Sequence, residues 1–123
     1  MGTDPTEDLT FQCAFLEALE KRLPGELAVV QRLGELYASS GRVRESLNMD
    51  LKASLLAPED PGVHYNLACS FALVGQVQFA LDHLQQALER GFRDLDHLRT
   101  DPDLDSLRRL PEFRQLLQKA RKE

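Results

Sequence analysis

The stretch LACSFALVGQVQFAL, residues 67–81, decides the fold because it repeats a stretch found 34 positions earlier. The earlier stretch is LGELYASSGRVRESL, residues 33–47. Both contain leucine, a small residue, an aromatic residue and alanine at the same spacing, and then glycine, valine, a small residue and leucine. A fixed period of this length is typical of repeat architectures, in which each unit packs against its neighbours.

Each unit of the repeat is predicted to form two helices joined at a glycine. Apolar residues recur three and four positions apart in residues 30–37 and again in residues 43–55, which is the spacing of a helix face. Gly41 lies between these segments, where the left-handed backbone at a helix end favours glycine. Asp60 and Pro61 supply a cap and a first position for the next helix. Because strand-like alternation is missing, the sequence predicts an all-α fold.

The repeated pattern resembles the tetratricopeptide repeat (TPR). The residues that carry the resemblance are Val30, Leu33, Gly34, Tyr37, Ser46, Ala53 and Pro58 in one repeat, and His64, Leu67, Ala68, Phe71, Ala80, Leu84 and Ala87 in the next. Asp50 and Phe92 depart from the pattern, because a large residue and a proline are usual at their positions. The resemblance implies antiparallel helical hairpins stacked as a short TPR superhelix.

We predict one TPR-like domain over residues 1–123. Residues 5–24 correspond to the second helix of a unit and form a half repeat or capping helix, with Asp4 as its predicted cap. The two repeats span residues 27–60 and 61–92, and capping helices follow in residues 93–123.

The capping segment contains LDHLRTDPDLDSLRRLPEFRQLLQKA, residues 95–120, which resembles a tail that follows the last repeat of bacterial TPR proteins. It predicts short helices near residues 94–99 and 106–109, with a turn at Asp101 and Pro102 between them. A final helix is expected to begin at Pro111 and to direct Phe113, Leu116 and Leu117 inward.

The aspartates of this tail have the spacing of a calcium-binding loop. Asp101, Asp103, Asp105 and Glu112 match its positions 1, 3, 5 and 12. However, the glycine that the loop needs at position 6 is replaced by Ser106. Helix capping explains these aspartates more simply, so we predict no metal site.

The two cysteines and three histidines show no catalytic or metal-binding spacing. Cys13 and Cys69 are not part of a CxxC motif. Cys69 follows His64 by five residues, about 500° around a helix, so their side chains diverge and cannot form a nucleophile–base pair locally. His64, His83 and His97 are interpreted as surface or edge residues. We therefore predict that the protein is not an enzyme and has no cofactor.

Composition and charge exclude two classes of partner. The net charge of −5 argues against a nucleic-acid surface, and the short apolar runs argue against a membrane span. With no recognisable leader and no disulfide framework, we predict a cytoplasmic protein. Residues 1–20 carry five acids and no base, whereas residues 108–123 carry six bases and two acids. This asymmetry indicates either two solvated ends or salt-sensitive attraction between copies.

The first helix has a second apolar stripe that the repeat does not explain. The stripe consists of Phe11, Ala14, Phe15 and Ala18. A helix that is apolar on two sides is normally buried on both. Either the rest of the chain covers the stripe, or another molecule does, and self-association through Phe11 and Phe15 is the main form of the second alternative.

The TPR resemblance implies a function in protein binding. In that family the first helices of the repeats line a concave groove, and the corresponding residues here are Gln31, Glu35, Ala38, Tyr65, Asn66, Cys69 and Ala72. Tyr65 would be the main anchor, although solvent exposure or burial under the C-terminal tail are alternatives. We therefore expect a non-catalytic module that binds a peptide or a partner helix. The alternative is a self-associating assembly element that uses helix 1.

Overall fold

The computed structural model describes residues 5–122, with side chains from residue 8 onward. Every regular element in this range is helical, and no strand occurs in it, so the prediction of an all-α fold is confirmed. The helices are α1 (Pro5–Arg22), α2 (Leu27–Ser39), α3 (Val43–Leu56), α4 (Pro61–Leu73), α5 (Val77–Glu89), α6 (Leu95–Thr100), a 3-10 helix (Pro102–Leu104) and α7 (Pro111–Lys122).

The helices form two compact units, one ending at Leu56 and the other beginning at Ala57. The first unit contains α1, α2 and α3. Its core consists of Cys13, Leu33, Leu36 and Tyr37, with Leu9, Leu16, Val29 and Met49 packed around them. The second unit contains α4 to α7. Its buried core includes Tyr65, Ala68, Cys69, Leu84, Leu98, Leu104, Leu107 and Phe113.

The α2–α3 and α4–α5 hairpins have the same turn. The amide of Arg42 donates to the carbonyl of Tyr37 at 2.8 Å, and the amide of Gln76 donates to the carbonyl of Phe71 at 2.9 Å. These two hydrogen bonds lie 34 residues apart in sequence. Gly41 completes the first turn at φ 77°, a conformation in which glycine carries no steric penalty. The repeat found in the sequence is therefore a repeat of structure.

The start of α4 follows the predicted capping chemistry. Asp60 Oδ1 accepts hydrogen bonds from the amides of Gly62 at 2.8 Å and Val63 at 3.3 Å, and Pro61 is the first residue of the helix. These bonds satisfy amides that have no partner within the helix. The prediction of an Asp60 cap is confirmed. The predicted Asp4 cap of α1 lies outside the described residues.

A close contact joins the two helices of the first hairpin at Gly34. Its carbonyl accepts a hydrogen bond of 2.9 Å from the hydroxyl of Ser46. A Cβ atom added to Gly34 would lie 3.1 Å from Oδ1 of Asp50 and 3.5 Å from Cβ of Met49. Asp50, which departs from the repeat pattern, is thus buried against a glycine. Ala68, at the corresponding position of the second hairpin, is also fully buried.

The C-terminal tail differs from the prediction in one element. The helix expected near residues 94–99 is α6, but residues 106–109 form turns rather than a helix. The second short helix is the 3-10 helix at Pro102–Leu104, because Asp101 caps it by accepting from the amide of Asp103 at 3.0 Å. In α7, Phe113 is buried as expected, whereas Leu116 and Leu117 are half-buried.

We predict that Gly34→Leu destabilises the protein by roughly 1–3 kcal/mol, because the new side chain overpacks the contact between α2 and α3. Gly25→Leu is the matched control, since a Cβ added at Gly25 meets no atom within 4 Å. Thermal and urea unfolding measure the difference. Equal stability of the two variants would contradict the close contact at Gly34.

Candidate functional site

The α2 part of the predicted groove is accessible. Glu35 and Ala38 are exposed and Gln31 is half-buried. The carboxylate of Glu35 forms an ion pair of 3.0 Å with Arg32 on the same helix. Because both side chains are largely exposed, the pair contributes little to stability. A ligand with a cationic or hydrogen-bond-donating group could replace Arg32 as the partner of Glu35.

The α4 part of the predicted groove is covered by the chain's own tail. Tyr65, Cys69 and Ala72 are buried, whereas Asn66 remains exposed. The ring of Tyr65 stacks on Phe92, with ring centroids 4.4 Å apart and an interplanar angle of 5°. Burial under the tail is one of the alternatives that the sequence allows for Tyr65, and it is the arrangement in the structure. As ligand contacts, the three buried residues would require displacement of the tail.

A buried carboxylate, that of Asp101, holds the tail on α4. Its Oδ2 atom accepts a hydrogen bond of 2.6 Å from the hydroxyl of Tyr65 and lies 3.7 Å from the thiol sulfur of Cys69. The Nε2 atom of His97 is 3.2 Å from the same oxygen. The backbone carbonyl of Asp101 accepts a hydrogen bond of 2.6 Å from the guanidinium of Arg108. The contacts of Oδ2 offset the cost of removing the carboxylate from water, and the bond from Arg108 fixes the backbone of Asp101.

The groups around Asp101 have shifted pKa values. Burial raises the pKa of Cys69 strongly, and the negative charges of Asp101 and Asp103 raise it further. The pKa of Tyr65 is also raised, first by burial and then by its hydrogen bond to Asp101. The thiol therefore stays protonated at neutral pH, whereas a nucleophilic or metal-binding cysteine needs its thiolate.

Two of the three aspartates with calcium-loop spacing have partners within the protein. Asp101 caps the 3-10 helix, and Asp105 forms an ion pair of 3.0 Å with Arg108. Possible ligand atoms of Cys69, Asp101 and Asp103 lie within 4.8 Å of one another. Asp101 already accepts hydrogen bonds at both oxygens, and the thiol is protonated, so this arrangement does not resemble a calcium site, which is built from oxygen ligands.

Two histidines form a pair that the sequence analysis missed. The interpretation of His64 as a surface or edge residue is wrong, because this side chain is only 4% exposed. Its Nε2 atom lies 2.7 Å from the carbonyl oxygen of Pro58, and its Nδ1 atom lies 3.2 Å from Nδ1 of His83. The carbonyl can only accept, so Nε2 of His64 carries a hydrogen. When both rings are neutral, Nδ1 of His64 therefore accepts from Nδ1–H of His83.

The position of this pair could have been derived from the hairpin. His64 lies 11 residues before Gly75 of the α4–α5 turn and His83 lies 8 residues after it, so antiparallel packing brings the two positions to within about one helical turn of each other. Cys69 contacts the tail instead. The divergence of His64 and Cys69 expected from their spacing agrees with these separate partners.

The outer side of α1 is an exposed apolar surface in the first unit. Phe11 is 72% exposed and Phe15 is 59% exposed, while Ala14 and Ala18 beside them are also exposed. The opposite side of α1 packs on α2 through Cys13 and Leu16. Within the described residues, no helix covers the stripe.

Comparison with known proteins gives a relative that matches part of the chain, although no protein-family model matches. The chain is 36% identical over 89 residues to a chloroplastic protein of Arabidopsis thaliana. The match covers 70% of this chain but only 27% of the length of that relative. Within the part of the chain that the structure describes, no helix is long and apolar enough to cross a membrane.

We predict that Tyr65→Phe destabilises the second unit by about 1.5–3 kcal/mol, because Asp101 loses a charge-assisted hydrogen bond. Tyr37→Phe is the control, since Tyr37 is equally buried but its hydroxyl donates no hydrogen bond to a described residue. Its expected effect is about 0.5 kcal/mol or less. Urea unfolding measures both, and a tolerated Tyr65→Phe would contradict the role given to Asp101.

We also predict that the protein loses stability as the pH falls below about 6.5, the ordinary histidine pKa. Burial lowers the pKa of His83, as do the neighbouring His64 and Arg90, while Asp82 acts in the opposite direction. The unfolded chain therefore binds a proton at a pH where folded His83 does not, so lower pH favours unfolding.

Unfolding of the wild type and of His83→Gln between about pH 7.5 and pH 5 tests this pH dependence, and the variant should show the smaller loss of stability. NMR titration of the His83 ring gives a direct measurement. A ring pKa at or above about 6.5 in the folded protein would overturn the prediction.

Proposed function

We propose that this chain is a non-catalytic protein-binding module of the TPR type. The proposal is supported by two hairpins with the same turn, 34 residues apart, and by small buried residues at the helix contacts, Gly34 and Ala68. These are the features that a stack of TPR hairpins requires. The superhelical arrangement of the hairpins and the family assignment are part of the proposal.

The observation that carries a binding function is the exposed stripe of α1. Two phenylalanines that are more than half exposed on one helix face make an apolar patch of the kind that marks interaction sites. Burying such side chains against a partner is favourable by about 25 cal/mol per Å² of apolar surface. Aromatic side chains also provide large contact areas with few rotatable bonds.

The second surface for a partner is the accessible part of the groove on α2. Glu35 gives it a negative charge, Gln31 supplies hydrogen-bonding groups and Ala38 leaves room for a ligand side chain. A peptide with a basic residue suits this surface. On α4, Asn66 remains exposed, whereas the buried residues of the groove contribute only if the tail leaves that helix.

The second candidate function is self-association, in which the exposed stripe of α1 binds another copy of the chain. The exposure of Phe11 and Phe15 favours this candidate as well, since the stripe itself does not distinguish between a second copy and a different protein. Both candidates are non-catalytic, and neither requires a cofactor.

The name of the Arabidopsis relative is its only indication of where this chain is located in the cell. That protein is called chloroplastic, and a chloroplast location is the alternative that this name suggests for the chain. The cytoplasmic location stays a prediction from composition. Because the match spans about 27% of that relative's length, the relative's biological role is not transferred to this chain.

The experiment that tests the proposed function is affinity capture from a lysate of the source organism with quantitative mass spectrometry. The baits are the wild type, Phe15→Glu, Glu35→Lys and the control Leu55→Glu. Leu55 is 83% exposed on α3, so its change removes an exposed apolar side chain from a helix that carries neither surface. We expect a partner that is lost with Phe15→Glu or Glu35→Lys and is kept with Leu55→Glu.

A partner that all three variants still capture would contradict the proposal that either surface binds it. If the wild-type bait captures further copies of the same protein and no other protein, and Phe15→Glu does not, the result would favour self-association. Circular dichroism of each bait checks that the substitution leaves the helices folded.

A further inference from the structure

A concave pocket lies in the first unit between α1 and the end of α2. It has a volume of about 420 Å³, which is within the usual range of ligand sites. Leu9 and Cys13 supply its apolar lining and also belong to the core of the unit. Its remaining lining residues are small or polar, namely Thr10, Ala14, Glu17, Ser39, Ser40 and Arg42. This α1–α2 pocket shares only Ala14 with the exposed stripe of α1.

The polar lining of the α1–α2 pocket departs from the repeat. A shift of 34 positions aligns three of its polar residues with large apolar ones, Glu17 with Leu51, Ser39 with Leu73 and Ser40 with Val74. The repeat therefore does not require polar side chains at these positions. In the first unit they leave a concave surface with hydrogen-bonding atoms.

The charged groups at the pocket leave one negative charge without a base of its own. Arg42 is paired with Glu45 through two hydrogen bonds, of which the one from Nε to Oε1 measures 2.9 Å. Its guanidinium also lies over the ring of Tyr37, 4.5 Å from the ring centroid. Glu17 is half-buried and forms no ion pair with a described residue. Two carboxylates against one guanidinium thus give a net charge of about −1.

The acidity of Tyr37 agrees with this distribution of charge. Burial raises the pKa of Tyr37, and the carboxylate of Glu17 raises it further, as does that of Glu45. Arg42 lowers it. Because nearby negative charge disfavours a phenolate, the same charge favours a cation in this place.

We propose that the α1–α2 pocket binds the side chain of a lysine carried by the protein partner. The inference rests on the proposed function and names a side chain that the module recognises. Long basic side chains bury their methylene stem along apolar surface and keep the charged head among polar groups. Here the stem would contact Leu9 and Cys13, and the ammonium group would donate to the carboxylate of Glu17.

The hydroxyl groups of the pocket suit the same ligand. A lysine ammonium group has three hydrogens to donate and accepts none. The hydroxyl of Ser40 already donates to the carbonyl of Leu36 at 2.7 Å, so its oxygen is left to accept. A ligand carboxylate would instead be repelled by the net negative charge, so charge complementarity selects a basic side chain.

The first test is an NMR titration of the isotope-labelled full chain with a short capped peptide that carries one lysine between alanines. The matched probe has norleucine in place of the lysine, which keeps the stem and removes the ammonium group. We expect a dissociation constant in the millimolar range for the lysine peptide, with amide shifts concentrated at Leu9, Cys13 and Ser39. Equal shifts with both peptides, or none with the lysine peptide at about 10 mM, overturn the proposal.

The second test removes the negative charge. Glu17→Gln keeps the size of the side chain and should raise the dissociation constant of the lysine peptide by about tenfold. Glu26→Gln is the matched control, because Glu26 is exposed before the first residue of α2 and its side chain forms no capping hydrogen bond. It should keep the wild-type constant. Equal constants for the two variants overturn the role of Glu17.

The third test narrows the pocket without changing its charge. Ala14→Leu adds a larger side chain to the lining and should also weaken binding of the lysine peptide. Ala18→Leu, one turn later on α1 and outside the lining, should leave it unchanged. If both variants bind as tightly as the wild type, the lysine does not enter this pocket. Circular dichroism checks that the compared variants are equally helical.

Failure of this inference is distinguishable from failure of the proposed function. A captured partner that is lost with Phe15→Glu or Glu35→Lys, together with a titration that does not distinguish lysine from norleucine, would reject the pocket and retain the binding module. Lysine-dependent shifts that Glu17→Gln removes would support the pocket even if no partner were captured through the other surfaces.

Discussion

The structure depends on the close approach of the two helices in each hairpin. At Gly34 the backbone of α2 comes near enough to α3 for Ser46 to bond its carbonyl, and a Cβ atom there would lie in tight contact, 3.1 Å from Oδ1 of Asp50. Ala68 plays the equivalent role on α4. Once this distance is set, the same glycine-ended turn closes both hairpins, and large apolar residues fill the space on either side of the contact.

The C-terminal tail buries side chains of α4 that would otherwise lie on the surface. In the second unit, the side of α4 that the TPR resemblance assigns to ligands carries Tyr65 and Cys69, and both face a buried carboxylate of the tail. A buried charge is costly unless every partner is in place, so Asp101 fixes where the tail lies. Of the surfaces proposed for a partner, those of α2 and of the outer side of α1 consequently stay accessible without displacement of the tail.

The sequence predicts what is local and periodic. Helix starts, the glycine turn at Gly41 and the buried faces follow from spacing, because backbone capping and helical periodicity act over a few residues. It does not predict contacts between distant residues. Tyr65 and Asp101 are 36 residues apart, so a pattern that fits a ligand groove fits an internal contact equally well. The second short helix of the tail is misplaced for the same reason, since the capping role of Asp101 follows from its position against α4.

The basic charge at the end of the chain has a local explanation in the dipole of α7. Lys119, Arg121 and Lys122 stand in the last turn of α7, where the helix dipole favours positive charge. In α1 the last turn carries Lys21 and Arg22, but Glu17 and Glu20 stand close to them, so both signs of charge occur near its end. The charge asymmetry between the two ends of the chain therefore does not by itself indicate attraction between copies.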